Sequence, residues 1–443
     1  MKKPSLLVIF LTVFVDLVGF GMVLPLLPKY VRDFGAPGWF LGLVVASYSV
    51  MQFLFAPAWG RLSDRIGRRP VLLVSTAGFV ASYSLFAIGS GLHDPKAALS
   101  IILLSRILSG VCGANITVAQ AYIADLSTPE ERSKRMGLIG MAFGLGFISG
   151  PMIAVGALLW LGLSGPGWFA ASICLVNLGL TWFFLGESRK PGTSAARPAG
   201  KRFDHWRQVL SRPQIGPLII IFFFATFAFT CFETTLGLVI SQNFAFPPRG
   251  PDGEIAISFL FAFSGFIGAA VQGGLIGRLV SALGEPRVIA LSLILTAISL
   301  APLPFFVGRM PDSLTALWRD PSVSFFHFSA TLLVGGGAPW IGLLGTLAVL
   351  AIGSGLTRPP LFGLLSMLAS EEEQGFTLGI AQSAGSLARI AGPIFASTTY
   401  DWHLSFPYLT CAVIAMACGV WVWTRMPQRI AAGVGARSAP KPS

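Results

Sequence analysis

"GRLSDRIGRRP", residues 60–70, lies between two apolar stretches, 38–59 and 71–90. Each is near the ~20 residues that a helix needs to cross the hydrocarbon core of a bilayer. The stretch between them holds Arg61, Asp64, Arg65, Arg68 and Arg69, framed by Gly60 and Gly67. A short, mostly basic turn between two greasy runs is what a membrane chain keeps on its cytoplasmic side. The rest of the sequence extends this pattern. Of 443 residues, 54% are hydrophobic and 11% charged, whereas a soluble domain carries about 25% charged residues. Apolar runs fall at 5–28, 38–59, 71–90, 98–124, 136–161, 167–186, 214–241, 256–277, 287–307, 340–366, 376–398 and 405–425. They lack strand alternation, and lipid leaves no partner for a free backbone group, so each reads as a helix and a β-barrel is excluded. The expected fold is an all-α integral membrane protein of twelve transmembrane helices.

With the N-terminus inside, about 22 of the 31 Lys and Arg residues fall on inside segments and about six outside. Both termini are then cytoplasmic, and the location is the inner (cytoplasmic) membrane. The net charge of +12 needs no nucleic acid, because orientation and anionic lipid account for it. The N-terminal MKKPS runs straight into the first apolar stretch and reads as the start of a helix, not a removed signal. The five cysteines lie in apolar runs without a CxxC pair and read as packing residues. All four histidines fall outside the runs, so no buried metal site is expected.

The polar, basic segment 187–213 divides the chain into six runs before and six after. The domain reading is therefore a six-helix bundle over 1–186, a cytoplasmic linker over 187–213 and a second bundle over 214–443 with a short tail. The halves echo one another. Gly60-Arg61-Leu62 and Gly67 reappear as Gly277-Arg278-Leu279 and Gly284, a shift of 217 (277 − 60 and 284 − 67). "EERSKRMG" leading to Gly150-Pro151 reappears as "EEQGFTLG" leading to Gly392-Pro393, a shift of 242 (392 − 150). The extra 25 residues are expected in 309–338. Two related six-helix halves around a shared cavity describe a transporter that rocks about a central site. Such a machine is expected to work as a monomer.

In the opening stretch, Gly60 is expected to end the second helix, Gly67 to allow a tight reversal and Pro70 to suit the next first turn. Asp64 can pair with an arginine or sit at the positive end of a neighbouring helix. Contacts of that kind break and remake, so they can latch one state of a two-state machine. Ser281 stands where Asp64 would repeat, so any latch is expected on one side only.

"GRLSDRIGRRP", together with "FVDLVGFGMVLPLLP" (14–28) and "SRILSGVCGANITVAQAYIAD" (105–125), resembles the tetracycline-resistance branch of drug:proton antiporters in the major facilitator superfamily. The resemblance covers the whole chain and implies that the loop acid, here Asp64, steadies the outward-facing state. It also implies an acid in the first helix near a buried arginine of the fourth.

Charges within apolar runs are functional candidates by default. Asp16 sits mid-way along the first run. Desolvation favours a neutral carboxyl and a nearby cation favours a charged one, so the two together can set a usable proton site. Asp16 with Arg106 is read as proton site and charge partner, a static buried pair being the plainer alternative. Glu233 and Arg389 are expected to pair across the second half, Glu233 either coupling protons or only pairing. Arg358 suits either the cavity wall or the cytoplasmic surface. The helix with Gly137, Gly146, Gly150 and Pro151 has the spacing of close helix–helix contact; the resemblance makes it an antiporter signature, with Ala154 and Val155 replacing its usual closing glycines. Asn115, Thr117, Gln120 and Tyr122 offer hydrogen bonds either to cargo or between helices. At positions where tetracycline pumps carry membrane acids and a histidine, this chain has Ser82, Thr296 and Gly268, so tetracycline itself is not the expected cargo.

The resulting reading is a proton-coupled antiporter that exports a hydrophobic or amphiphilic small molecule, drawing on the proton gradient with no other cofactor. The alternative is a facilitator or proton symporter importing a nutrient or lipid-like metabolite. No enzyme constellation is present in the runs.

Overall fold

The computed structural model describes residues 4–23, 26–27, 30, 34–36, 38–189, 202–244, 251–309, 337–370, 373–400 and 402–438. Among the described residues every regular element is helical. Span 1 is Leu6–Val23, span 2 Gly38–Ile66 and span 3 Arg68–Ser90. Span 4 comes in two pieces, Pro95–Gly113 and Ile116–Asp125, followed by span 5, Pro129–Leu161, and span 6, Gly165–Phe184. A short helix, Arg202–Leu210, precedes span 7, Ile215–Asn243. Span 8 runs as Pro251–Ala270, a π turn Val271–Leu275, and Ile276–Leu283. Spans 9 to 12 are Glu285–Leu300, Gly337–Leu368, Gln374–Tyr400 and Phe406–Ser438.

Ten of these helices are long and apolar enough to cross a membrane. Spans 5 and 11, the two others, are the glycine-rich helices between the halves. Span 5 packs on spans 1, 8 and 10, and span 11 on spans 2 and 7. A helix flanked by protein needs less apolar surface than one facing lipid. Outward-facing side chains such as Trp160, Val74, Phe266 and Val413 are more than half exposed and provide the apolar belt.

Three boundaries differ from expectation. Gly60 does not end span 2, which continues to Ile66, so the reversal narrows to Gly67 at φ +101°. Gly60 is there for close approach instead: a Cβ at this position would stand 2.1 Å from the Gly375 carbonyl oxygen of span 11. Span 4 is broken at Ala114-Asn115. Side chains satisfy the carbonyls near the break. Trp59 Nε1 donates to Val111 O (2.6 Å), Ser75 Oγ to Cys112 O (2.8 Å) and Gln52 Nε2 to Gly113 O (3.0 Å). Within 187–213, residues 202–210 are helical and 190–201 lie outside the described residues. The insertion expected in 309–338 likewise lies almost wholly outside them.

Candidate functional site

Asp16 is 5% exposed, on the inward face of span 1. Its carboxylate accepts from Asn115 Nδ2 at 2.9 Å and from Asn177 Nδ2 at 3.2 Å. Asn115 stands at the break in span 4, which turns it toward span 1. Asn177, in span 6, also donates to Thr12 O at 3.1 Å. A cavity of about 10 Å³, lined in part by Asp16, Tyr48, Asn115 and Phe79, adjoins the carboxylate. One ordered water needs about that volume.

The expected Asp16–Arg106 pair is not formed. Arg106 lies nine residues before Asn115, which at 1.5 Å per residue is about 13 Å along the helix. Its guanidinium, 1% exposed, lies over Tyr48 (4.9 Å) and Phe20 (5.6 Å), and none of its nitrogens has a hydrogen-bond partner. Tyr48 stands between Asp16 and Arg106 only as a neighbour of each: it lines the cavity beside Asp16, and its ring carries the Arg106 guanidinium.

The expected Glu233–Arg389 pair is also replaced. Arg389 Nη2 donates to Gln52 Oε1 of span 2 and to Ser386 Oγ at 2.9 Å, and Ser386 Oγ donates to the same Gln52 oxygen at 3.1 Å. Spans 2 and 11 pack closely, which brings Gln52 to Arg389 first. Glu233, half-buried, senses Arg389 only at longer range. Arg358 Nη2 donates to Gln382 Oε1 at 2.8 Å, and its guanidinium lies over Phe143 (4.9 Å), Phe362 (5.4 Å) and Phe222 (5.7 Å). Phe143 belongs to span 5 of the other half, so Arg358 faces the interface between halves and not the cytoplasmic surface.

Of the span 4 candidates, Asn115 joins Asp16. Gln120 is 2% exposed with its Oε1 unbonded. Tyr122 is not a cavity residue: its hydroxyl donates to Gly186 O (3.0 Å) and accepts from Ser5 N (3.3 Å), tying the chain start to the end of span 6. Ser82 and Thr296 are taken up in packing bonds, Ser82 to Ser105 O of span 4 and Thr296 to Ser292 O one turn back.

At the Gly67 end of the bundle, Asp64 Oδ1 meets Arg68 Nη1 at 2.5 Å. The same carboxylate accepts from Gly375 N (3.1 Å) and Phe376 N (3.0 Å), in the first turn of span 11. Arg68 is thus the arginine of the turn that meets the expectation of a partner for Asp64; it is 1% exposed and also bonds Ser63 and Asp125. Arg61 lies over the Phe376 ring at 4.4 Å, Arg65 is exposed, and Arg69 Nη2 donates to Trp182 O at 2.8 Å. Glu187 accepts from the backbone N–H of both Arg68 (2.9 Å) and Arg69 (3.1 Å), closing the start of span 3.

The second half also reaches across, contrary to the one-sided expectation. Ser281 only bonds its own helix at Arg278 O. Glu285, one turn further on, accepts from Ser133 Oγ of span 5 at 3.2 Å. By the repeat shifts, Glu285 matches Arg68 (285 − 217) and Ser133 matches Gly375 (375 − 242). Arg132 Nη1 adds a bond to Ser366 O of span 10 at 3.0 Å.

The glycines of span 5 serve two neighbours. A Cβ on Gly150 would stand 2.6 Å from the Gly21 carbonyl carbon, and one on Gly146 would stand 2.9 Å from Leu17 Cβ, both in span 1. Gly137 faces span 8 instead, where its Cβ would meet Gln272 O at 2.7 Å, in the π turn. Pro151 continues the helix beyond Gly150.

Residues 9–318 match the sequence pattern of the Major Facilitator Superfamily. This chain belongs to the Major Facilitator Superfamily. As such it is a multi-pass membrane transporter. It is 30% identical over 413 residues to multidrug resistance protein 2 of Bacillus subtilis, covering 92% of each chain. It is 28% identical to the class B tetracycline resistance protein of Escherichia coli, over 88% of this chain and 86% of that one. The fold is similar to that of human MFSD10, described as an organic anion transporter, at a TM-score of 0.68 and 24% identity, covering 95% of this chain and 100% of that one.

Several residues of this superfamily member's site escape a search for charges. Asn177, Gln52 and Tyr48 are neutral, and they hold Asp16, Arg389 and Arg106. Their signal in the sequence is a lone amide or phenol in an apolar run. Glu285 was legible as an acid beside the repeated glycine Gly284.

Proposed function

We propose that this transporter is a proton-coupled antiporter that exports hydrophobic or amphiphilic small molecules by alternating access. It works as a monomer in the cell membrane with both termini cytoplasmic, and the proton gradient is its only energy source. The names of the multidrug and tetracycline relatives support export. So does that of the quinolone resistance protein NorA of Staphylococcus aureus, 25% identical over 422 residues.

The observation that carries the coupling is that Asp16 is buried and held by two neutral amides instead of a cation. A proton can then join or leave without an ion pair being broken. The neutral carboxyl needs an acceptor, and Asn177 keeps its own Oδ1 buried and unbonded. Turning that amide over provides the acceptor and reports the proton to span 6. Arg106 borders the acid's cavity through Tyr48, and Glu233 is a second proton-binding group near Arg389. The Asp64, Glu285 and Arg132 contacts latch the cytoplasmic ends while the protein faces outward. The Gly146 and Gly150 contact lets spans 1 and 5 move as one body.

Sealed inverted vesicles under a pH gradient test this reading, scored with a panel of fluorescent compounds and by proton release on substrate addition. Asp16→Asn is expected to lower gradient-driven transport at least ~100-fold, while facilitated counterflow persists. Gradient-driven transport at the native rate in Asp16→Asn would overturn it.

A further inference from the structure

Among the described residues, the interior of the protein carries three guanidinium groups that no carboxylate contacts. Arg106, Arg358 and Arg389 face two acids, Asp16 and Glu233. The balance is one positive charge with both acids ionised and three with both protonated. Among the described residues, none of the three arginines is in an ion pair. Their bonds go to neutral acceptors: Gln382 for Arg358, and Gln52 and Ser386 for Arg389. Arg358 Nε and all three nitrogens of Arg106 are buried without a partner.

The arrangement is continuous across the interface. Gln382, Ser386 and Arg389 lie at i, i+4 and i+7 on one face of span 11. Gln382 takes Arg358 on its side-chain oxygen, while Ser386 Oγ lies 3.1 Å from the Gln382 backbone oxygen and 3.1 Å from Gln52 Oε1 of the first half, so the polar groups line one side of span 11. Arg358 and Arg389 are thus linked through one face of span 11, Arg358 by its bond to Gln382 and Arg389 by its bond to Ser386. Tyr48 carries the Arg106 guanidinium over its ring at 4.9 Å. Beside this row stand the rings of Phe143, Phe222 and Phe362.

Unpaired buried guanidinium is costly, and its fork of donors matches a planar oxyanion. A carboxylate beside Arg358 gives its buried Nε the acceptor it lacks, and Arg389 adds a second positive charge on the same side of span 11. The three phenylalanine rings give an aromatic body a place to pack. We infer that the preferred cargo is an amphiphilic organic anion, an aryl carboxylate or its equivalent, held by Arg358 and Arg389, in place of the lipophilic cation that a drug-efflux protein suggests. The inference rests on the export reading for the direction of transport. Recognition itself does not depend on a proton gradient.

Equilibrium binding to the purified full-length protein separates the two. Tritiated 2-naphthoate and 4-biphenylcarboxylate are compared with 2-naphthylmethylammonium and 4-biphenylmethylammonium by scintillation proximity at neutral pH without a gradient. The carboxylates are expected to bind and the matched cations to bind at least ~10-fold more weakly. Arg358→Gln and Arg389→Gln should each weaken carboxylate binding at least ~10-fold, with Arg358→Lys intermediate because it keeps the charge and loses the fork. Arg65→Gln, exposed at the end of span 2, should bind as the parent does. Each variant is checked for a monodisperse elution profile. If a variant fails that check, competition of unlabelled carboxylates against cations on the parent protein decides. Cations bound equally or better, carboxylate binding unmoved in the Gln variants, or no carboxylate binding at all overturns the inference. Loss of proton coupling in vesicles with carboxylate binding intact overturns the export reading alone.

Discussion

Replacing Asp64 by Asn isolates the electrostatic part of the cytoplasmic latch. Asp64 bonds in two directions. Its bond to Arg68 lies within the first half and survives any rocking motion. Its bonds to Gly375 N and Phe376 N cross to the second half and exist only while the ends are joined. Asn keeps the shape and one acceptor oxygen, but not the charge. A hydrogen bond to a charged group is worth about 1.5–3 kcal/mol and a neutral one about half that. The interaction of a partly buried carboxylate with a helix N-terminus reaches about 2 kcal/mol. These terms overlap, so the closed state should lose about 2 kcal/mol against the open one, a shift of about 30-fold in their ratio. Spin labels at Arg65→Cys and Ser281→Cys, exposed positions at the ends of spans 2 and 8, report the separation by pulsed dipolar spectroscopy in a background lacking the native cysteines. The Asn variant should move population from the short to the long distance. A ratio that stays within about threefold of the parent's (about 0.6 kcal/mol) would refute the latch, because the bonds would then exist without biasing the states.

Two further outcomes use the same distance measurement. Gly60→Ala should open the cytoplasmic ends with Asp64 intact, because its Cβ would lie 2.1 Å from Gly375 O, far inside the 3.4 Å where ordinary contact begins; an unchanged distribution would show that spans 2 and 11 do not meet there. Glu285→Gln should shift the ratio in the same direction by a smaller step, about 0.5–1.5 kcal/mol, since Ser133 offers a neutral hydroxyl and not a helix terminus; an effect equal to that of Asp64→Asn would mean the second contact carries more than a hydroxyl bond.

Span number and type were legible because a bilayer imposes one length and one chemistry on every crossing. Spans 5 and 11 were legible as apolar runs too, and the repeated Gly-Pro pair marked them as counterparts in the two halves. The ends of helices were harder. Gly60 looked like a terminator because glycine often is one, yet only the partner helix reveals why a side chain is barred there. The break in span 4 left a faint mark, since "GVCGAN" holds one polar residue and no proline. It depends on Gln52, Trp59 and Ser75 from other spans taking the freed carbonyls.

The charges themselves were all visible, but their partners were misassigned in one consistent way. The sequence predicts an arginine partner for each buried acid, because Coulomb attraction is the strongest pairwise term available to a desolvated charge. The structure instead gives the acid to amides, Asn115 and Asn177, and the arginines to Gln52, Gln382, Ser386 and aromatic faces. A tight ion pair fixes a carboxylate in its charged form and occupies the guanidinium that would meet a ligand. A group that must gain and lose a proton each cycle, and a cation that must take and release cargo, are both better served by weak neutral neighbours. At Asp64 and Arg68, where holding is the task, the protein does form the pair, at 2.5 Å and out of reach of water. Pairing at the latch and its avoidance in the interior are thus the same rule applied to two tasks: charges are joined where a carboxylate must stay charged and in place for its contacts with span 11, and kept apart where a ligand is to pass.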